Sequence, residues 1–233
     1  MTEVKVWSLV RHNTSTTLGP ERNQDEWDAI QIKKIVKGDQ LADKARFKWP
    51  GIGTVWREHR STFVTSLCSV FATKMVADGG SGAVVVPIPN SSAVIGSQQD
   101  FRTLVLVRGI ANLSGGALSY HDHLRWNGAV GKAHLNERAR NVDEHMGNMA
   151  IVGKPDRKIL LFDDMVTSGS QMCAATLKLE EAGFEVAGCY SVLDVLDEGE
   201  RGTAPAWKSV TRHPTRTGDL FALLESLGLG GAR

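Results

Sequence analysis

One segment of this 233-residue chain limits its fold more than any other, because it combines a buried strand, a polar turn and a helix. The strand-like segment 158–162, apolar from Ile159 onward, is followed at once by Asp163 and Asp164, and then by a hydroxyl-rich turn around Gly169. Apolar residues then recur at helical spacing over residues 170–182. Because short, continuously apolar strands are typical of parallel sheets, this order predicts an α/β unit.

The remaining sequence alternates between strand-like and helix-like segments in the same way. Helical spacing of apolar residues predicts helices near 63–75 and 98–112. β-Branched and apolar runs predict strands near 83–89, 117–120, 149–152 and 185–195. We therefore expect a mainly parallel sheet flanked by helices.

The two ends of the chain have weaker patterns than the middle. Residues 1–56 hold four of the six tryptophans and no sustained period, so we expect an irregular N-terminal hood or cap there. Residues 57–196 are the predicted α/β core. Residues 197–233 are predicted to be a loop with a short helix near 219–227.

Composition excludes several classes of protein. The formal net charge of +1 gives no general basic field, so we expect no nucleic-acid partner. No apolar run approaches the ~20 residues that span a bilayer, and no signal-peptide pattern is visible. The three cysteines, Cys68, Cys173 and Cys189, are widely spaced and fit a reducing compartment. We expect a cytoplasmic protein without a membrane partner, and a monomer and a homodimer both remain open.

The chemistry of residues 163–170 points to a phosphorylated sugar. A turn that enters a helix directs free backbone N–H groups and the positive end of the helix dipole at one place, which suits an anion. Thr167, Ser168 and Ser170 can add hydroxyl donors. The two neighbouring carboxylates suit sugar hydroxyls or a hydrated Mg²⁺ instead.

Residues 159–170 resemble the 5-phosphoribosyl-1-pyrophosphate (PRPP) signature of the type I phosphoribosyltransferases. The resemblance implies that family's fold and a Mg²⁺-dependent transfer of the phosphoribosyl group to a nitrogen acceptor such as a nucleobase, with release of pyrophosphate. It also implies that Asp163 and Asp164 act in catalysis, holding the ribose hydroxyls and the metal, directly or through water. The implied 5-phosphate site consists of Thr167, Ser168, Gly169 and Ser170.

Two further segments resemble the same family. The strand end at residues 84–90 is similar to its pyrophosphate-binding loop, which implies that pyrophosphate lies against Pro87, Ile88, Pro89 and Asn90. The basic stretch at 132–141 resembles a mobile loop of the ComF-like subgroup. That likeness implies that Lys132 and Arg138, with Arg140 as a further candidate, bring catalytic positive charge to the pyrophosphate.

The sequence departs from its relatives at two points. Residues 1–56 have no cysteine, whereas ComF-like proteins often carry a cysteine zinc clip there. The branch that acts on hypoxanthine and guanine has an acid at the position of Thr167. Two alternatives to a working enzyme stay open at this point: a non-catalytic sensor of PRPP or nucleotides, and a ComF-like accessory protein of DNA uptake.

Overall fold

A computed structural model describes residues 3–15, 21–128, 141–197 and 199–214. The helices and strands, in chain order, are β1 (Val4–His12), α1 (Gln24–Val36), β2 (Phe47–Trp49), β3 (Gly53–Val55), α2 (Arg60–Met75), β4 (Val84–Pro87), α3 (Arg102–Leu113), β5 (Ser119–Tyr120), β6 (Leu124–Trp126), α4 (Val142–Asn148), β7 (Met149–Ile151), β8 (Ile159–Val166), α5 (Ser170–Glu181), β9 (Val186–Val195) and β10 (Lys208–Arg212). A 3₁₀ turn, Arg57–His59, precedes α2, and a wide π-type turn, Val76–Gly80, follows it.

Six strands form one sheet in the order β10–β1–β9–β8–β4–β5. Neighbours from β1 to β5 run parallel, and β10 is antiparallel to β1 at the edge. β8 lies inside the sheet between β9 and β4, which explains its continuous apolar run Ile159–Phe162. The predicted fold class, a mainly parallel sheet flanked by helices, is confirmed.

Each face of the sheet has its own hydrophobic core. One face packs against α1, α2, α3 and the β2–β3 hairpin, where Phe63 meets the rings of Phe47 and Trp49 edge to face at 5.0 and 4.8 Å. The other face packs against α4, α5 and the small β6–β7 sheet, with Trp126 and Met149 fully buried. Helices on both faces bury the sheet and leave its carboxyl edge for ligands.

The N-terminal segment differs from the irregular hood expected for residues 1–56. β1 enters the central sheet beside β9, with Val4, Val6 and Val10 buried. α1 begins with a capping box in which Asn23 accepts from the Glu26 N–H and Glu26 accepts from the Asn23 N–H. The segment therefore supplies both a strand of the core and elements that cover it.

Two other segments lie outside the parallel part of the central sheet. The strand expected at 149–152 forms as β7, but it pairs with β6 in a separate two-stranded sheet. Lys208–Arg212, expected to lie in a loop, forms the edge strand β10. The helix predicted near 219–227 falls outside the described residues.

Candidate functional site

The predicted strand–turn–helix segment lies at the carboxyl edge of the sheet. β8 extends to Val166, so Asp163 and Asp164 belong to the strand itself rather than to the turn. Successive side chains of a strand point to opposite faces, which gives the two acids different surroundings. Asp164 is 3% exposed, whereas Asp163 is half-buried.

The turn between β8 and α5 has the geometry of an anion site. Gly169, the N-cap of α5, has φ 78°, in the left-handed region that favours glycine. Thr167 and Ser168 are exposed, and the Ser168 Oγ lies 3.0 Å from the Ser170 Oγ. The first N–H groups of a helix have no intrahelical acceptor, so this turn offers backbone and hydroxyl donors together.

Asp164 joins two basic residues from distant parts of the chain. Its Oδ1 lies 2.6 Å from the Nζ of Lys37, which directly follows α1, and its Oδ2 lies 2.5 Å from the Nε of Arg102, the first residue of α3. Arg102 Nη1 also donates to the Lys37 carbonyl at 3.2 Å. The N-terminal segment is thereby tied to the strand that carries the acids.

This cluster leaves one positive charge in excess at the carboxyl edge. Asp164 accepts one bond from each cation, and the side chains of Lys37 and Arg102 keep 24% and 32% of their surface exposed. Because each cation has further N–H donors, both can still contact an anion at the surface while Asp164 holds them in place. Sequence reasoning missed both residues.

The titration of Asp163 is strongly perturbed. Burial, followed by the negative charge of Asp164, raises the pKa of Asp163 to about 7. Lys37 and Arg102 act in the opposite direction, as does the hydrogen bond of 2.7 Å from the Asp164 N–H to the Asp163 Oδ1. Perturbed carboxyls in a sheet-edge cleft are typical of functional sites.

The strand end at residues 87–90 offers few backbone donors. Pro87 and Pro89 have no N–H, and the Ile88 N–H donates to the Phe162 carbonyl at 2.8 Å. The carbonyls of Ile88 and Asn90 accept from Thr103 Oγ1 and Trp126 Nε1, both at 2.8 Å. The Asn90 N–H is therefore the backbone donor that this loop can direct at a ligand.

The remaining predicted residues and the metal cannot be placed on the structure. Lys132 and Arg138, like Arg140, lie outside the described residues. No group of three or more potential metal-ligating side chains occurs within residues 3–15, 21–128, 141–197 and 199–214. With Asp164 engaged by two cations, this donor set does not fit a Mg²⁺ ion held by the protein alone, since Mg²⁺ prefers six oxygen ligands.

No family model matches the chain. An adenine phosphoribosyltransferase of Clavibacter michiganensis subsp. michiganensis is 40% identical over 60 residues, which are 26% of this chain and 32% of the relative. This match confirms the resemblance to phosphoribosyltransferases. The matched segment spans about a third of the relative's length, and the likeness to the ComF-like subgroup stays a prediction.

Solved phosphoribosyltransferase structures overlap the chain at low identity. A hypoxanthine phosphoribosyltransferase of Staphylococcus aureus is 14% identical, with 59% of this chain and 69% of that chain covered and a TM-score of 0.34. The adenine phosphoribosyltransferase of Leishmania donovani is 11% identical, with 82% and 92% covered and a TM-score of 0.36. The fold assignment rests on the sheet and helices described above.

None of the helices in the described parts of the chain is both long enough and apolar enough to cross a bilayer.

Proposed function

We propose that this protein transfers the 5-phosphoribosyl group of PRPP to a nitrogen acceptor and releases pyrophosphate. The observation that carries the proposal is the β8–α5 turn, where Asp163, the hydroxyls of Ser168 and Ser170 and the start of α5 meet at the carboxyl edge of a parallel sheet. Open α/β sheets bind their ligands at this edge. The sequence match to an adenine phosphoribosyltransferase supports the same activity.

The reaction moves one group between two partners. The lone pair of the acceptor nitrogen forms a bond to the ribose C1, and the bond from C1 to the pyrophosphate oxygen breaks with its electron pair going to pyrophosphate. A proton on the acceptor nitrogen leaves to solvent or to a basic group. Because positive charge develops on the ribose and negative charge on pyrophosphate, the protein contributes by positioning and by electrostatic stabilisation.

The turn and the first acid would hold the phosphoribosyl half of PRPP. The 5-phosphate would accept hydrogen bonds from the hydroxyls of Thr167 and Ser168 and from backbone N–H groups near Gly169 and Ser170. The exposed positions of Thr167 and Ser168 suit such contacts. Asp163, at the end of β8, would hold the ribose hydroxyls.

The departing pyrophosphate needs positive charge that the strand end at residues 87–90 does not supply. Arg102 and Lys37 provide it within the described residues, and Asp164 positions both cations through its two oxygens. Asn90 would add the backbone N–H of the strand end. Lys132 and Arg138, within residues 129–140 that the structure does not describe, are proposed to supply further charge.

Mg²⁺ would reach this site as a complex with PRPP rather than as a resident ion. The described residues hold no ligand cluster for it, and Asp163 is the carboxylate near the turn that no cation occupies. We assign no step of the transfer to the ion.

A pyrophosphate-release assay tests the proposal. The protein is incubated with Mg²⁺ and PRPP and with adenine, hypoxanthine, guanine, uracil or orotate in turn, since the acceptor is not fixed by the chain. We expect release that depends on one acceptor class, and we expect Arg102→Met to lower it by at least tenfold. Arg108→Met is the matched control, because Arg108 lies on the same helix and pairs with Asp100 on the surface.

The same assay separates the proposal from its alternatives. Loss of activity in Arg108→Met as large as in Arg102→Met would contradict the role given to Arg102. Saturable PRPP binding without release for any acceptor would favour the non-catalytic sensor. A folded protein that neither binds PRPP nor releases pyrophosphate would contradict the proposed function and leave the accessory protein of DNA uptake.

A further inference from the structure

A buried histidine whose ring has no hydrogen-bond partner among the described residues lies at the carboxyl end of β1. His12 is 1% exposed, and neither its Nδ1 nor its Nε2 has a hydrogen-bond partner among the described residues. Its backbone is ordinary, with the carbonyl accepting from the Leu196 N–H at 3.0 Å. Buried polar groups are rarely left unpaired, so an imidazole with two unused nitrogens calls for a missing partner.

The charges of two cations act on this imidazole. The Nε of Arg22 is buried and also lacks a partner, while another nitrogen of Arg22 donates to the Ser15 carbonyl. Lys33, on α1, is half-buried and forms no ion pair with the described acids. Burial first, and then the charges of Lys33 and Arg22, lower the pKa of His12 to about 4.

The wider surroundings of Lys33 are also mainly positive. Burial lowers the pKa of Lys33, and the neighbouring charges of Lys37, Lys34 and Arg22 add to that effect. Asp39 is the acid that acts against it, without forming an ion pair with Lys33. Among the described residues, positive charge therefore predominates around a buried, uncharged ring, with Asp39 acting against it.

We propose that His12, Arg22 and Lys33 form a buried anion subsite that takes one carboxylate or phosphate group of a small ligand. An oxyanion would accept hydrogen bonds from the Arg22 Nε–H and from the N–H of the imidazole, and it would balance the charge of Lys33. Within the described parts of the chain, the Arg22 Nε and the two imidazole nitrogens are buried atoms that lack a hydrogen-bond partner.

The subsite is separate from the turn at the end of β8. Strand β9 lies between β1 and β8, so the two strands are two spacings, roughly 10 Å, apart. His12 is level with Val195 of β9, beyond the position paired with the last residue of β8. The proposed subsite therefore does not depend on the proposed phosphoribosyl transfer. The anion that it binds can belong to the acceptor of that reaction or to a separate ligand.

Nuclear magnetic resonance of the histidine ring protons tests the subsite in the full chain. The His12 signal is assigned with His12→Gln and followed from pH 4 to 8 in sodium chloride, sodium acetate and sodium phosphate at equal ionic strength. We expect a saturable shift of the signal with acetate or phosphate and a rise in the pKa of His12 of about one to three units. Chloride should cause neither effect.

Two charge variants on one helix provide the control. Lys33→Met should lower the affinity for the anion by about tenfold, because it removes one charged donor. Lys34→Met, which removes the same charge from the next residue, should leave the affinity within twofold, since Lys34 is not among the charges that shift His12. Thermal unfolding of both variants confirms that the fold is intact.

Each possible result of these titrations either supports the anion subsite or overturns it. A response to phosphate alone or to acetate alone supports the subsite and identifies the group it takes. No saturable change at His12 with either anion overturns the inference, as does an equal loss of affinity in Lys33→Met and Lys34→Met. If the subsite binds an anion but PRPP does not bind to the protein, the proposed function fails and this inference stands.

Discussion

Replacing Asp164 with asparagine removes the charge that holds Lys37 and Arg102 together. Breaking a fully buried ion pair by removing one partner costs roughly 3–5 kcal/mol, because the other charge is left buried and unpaired. Here the two cations retain 24% and 32% exposure, so water can replace part of what Asp164 supplies. We therefore expect Asp164→Asn to lower the free energy of unfolding by about 2–3 kcal/mol.

Lys37 tests whether this cost comes from the pairing. In Lys37→Met, Asp164 keeps its bond to Arg102, so we expect a loss of only about 1 kcal/mol. The two substitutions share one interaction, and their combined effect should be smaller than the sum by about 1 kcal/mol.

Urea denaturation at pH 7, followed by tryptophan fluorescence, measures these free energies. Asp156→Asn is the matched control, because Asp156 pairs with Arg157 at 3.8 Å on the surface and should contribute less than about 0.5 kcal/mol. Equal losses in Asp156→Asn and Asp164→Asn would refute the reasoning. So would a Lys37→Met effect that is unchanged when Asp164 is already asparagine.

Three further predictions concern the stability and reactivity of the fold. Gly169→Ala should lower the free energy of unfolding by about 2–3 kcal/mol, since the new Cβ would lie 2.8 Å from the Arg212 Cβ at a φ of 78°. The control Gly183→Ala, with a φ of 85° and nothing within 4 Å of the new Cβ, should lower it by about 1 kcal/mol. Equal losses in the two variants would contradict the clash with Arg212. Burial raises the pKa of Glu26, but bonds from Arg201, Gly202 and Asn23 outweigh it and hold the value at about 2. This carboxylate therefore stabilises the fold above its unfolded pKa of about 4.3, and that stability is lost as the pH falls toward 2. Glu26→Gln should lower the free energy of unfolding by about 2 kcal/mol at pH 7 and by less at pH 4. A loss that does not shrink on acidification would contradict the low pKa of Glu26. Burial raises the pKa of Cys68 to about 11 and that of Cys189 to about 12, so a thiol reagent at pH 8 should label neither in the native protein, and labelling within seconds would contradict their burial.

The central part of the fold could be predicted because its signals are local. The apolar run before Asp163 and the helical spacing after Gly169 identify β8 and α5 without knowledge of the rest of the chain. The run ending at Pro87 identifies β4 in the same way.

The sequence of β1 carries a strand pattern that is weak and has no local partner. Val4, Val6 and Val10 follow the period of two that is typical of a strand, with Ser8 and His12 buried in the same register. Two polar residues among the buried positions weaken the pattern. Moreover, the strand's partner β9 lies about 180 residues further along the chain, where no local pattern can indicate it.

The site could be predicted only in part, because some of its residues are far apart in the sequence. The turn residues are contiguous, so their chemistry is visible in the sequence. Lys37 and Arg102 meet Asp164 across separations of 127 and 62 residues, and each is one basic residue among many. Only the packing of α1 and α3 against the sheet brings these charges to the acids.

Calorimetric titration of PRPP with Mg²⁺ into the wild-type protein, Asp163→Asn and Asp156→Asn tests the central claim most directly. Asp163→Asn should keep the fold, because the raised pKa of Asp163 shows that its charged form is already disfavoured by burial and by Asp164. We predict saturable binding to the wild type and to Asp156→Asn, and affinity at least tenfold weaker for Asp163→Asn. No binding to the folded wild type, or equal binding to all three proteins, would contradict the assignment of a PRPP site to the β8–α5 turn.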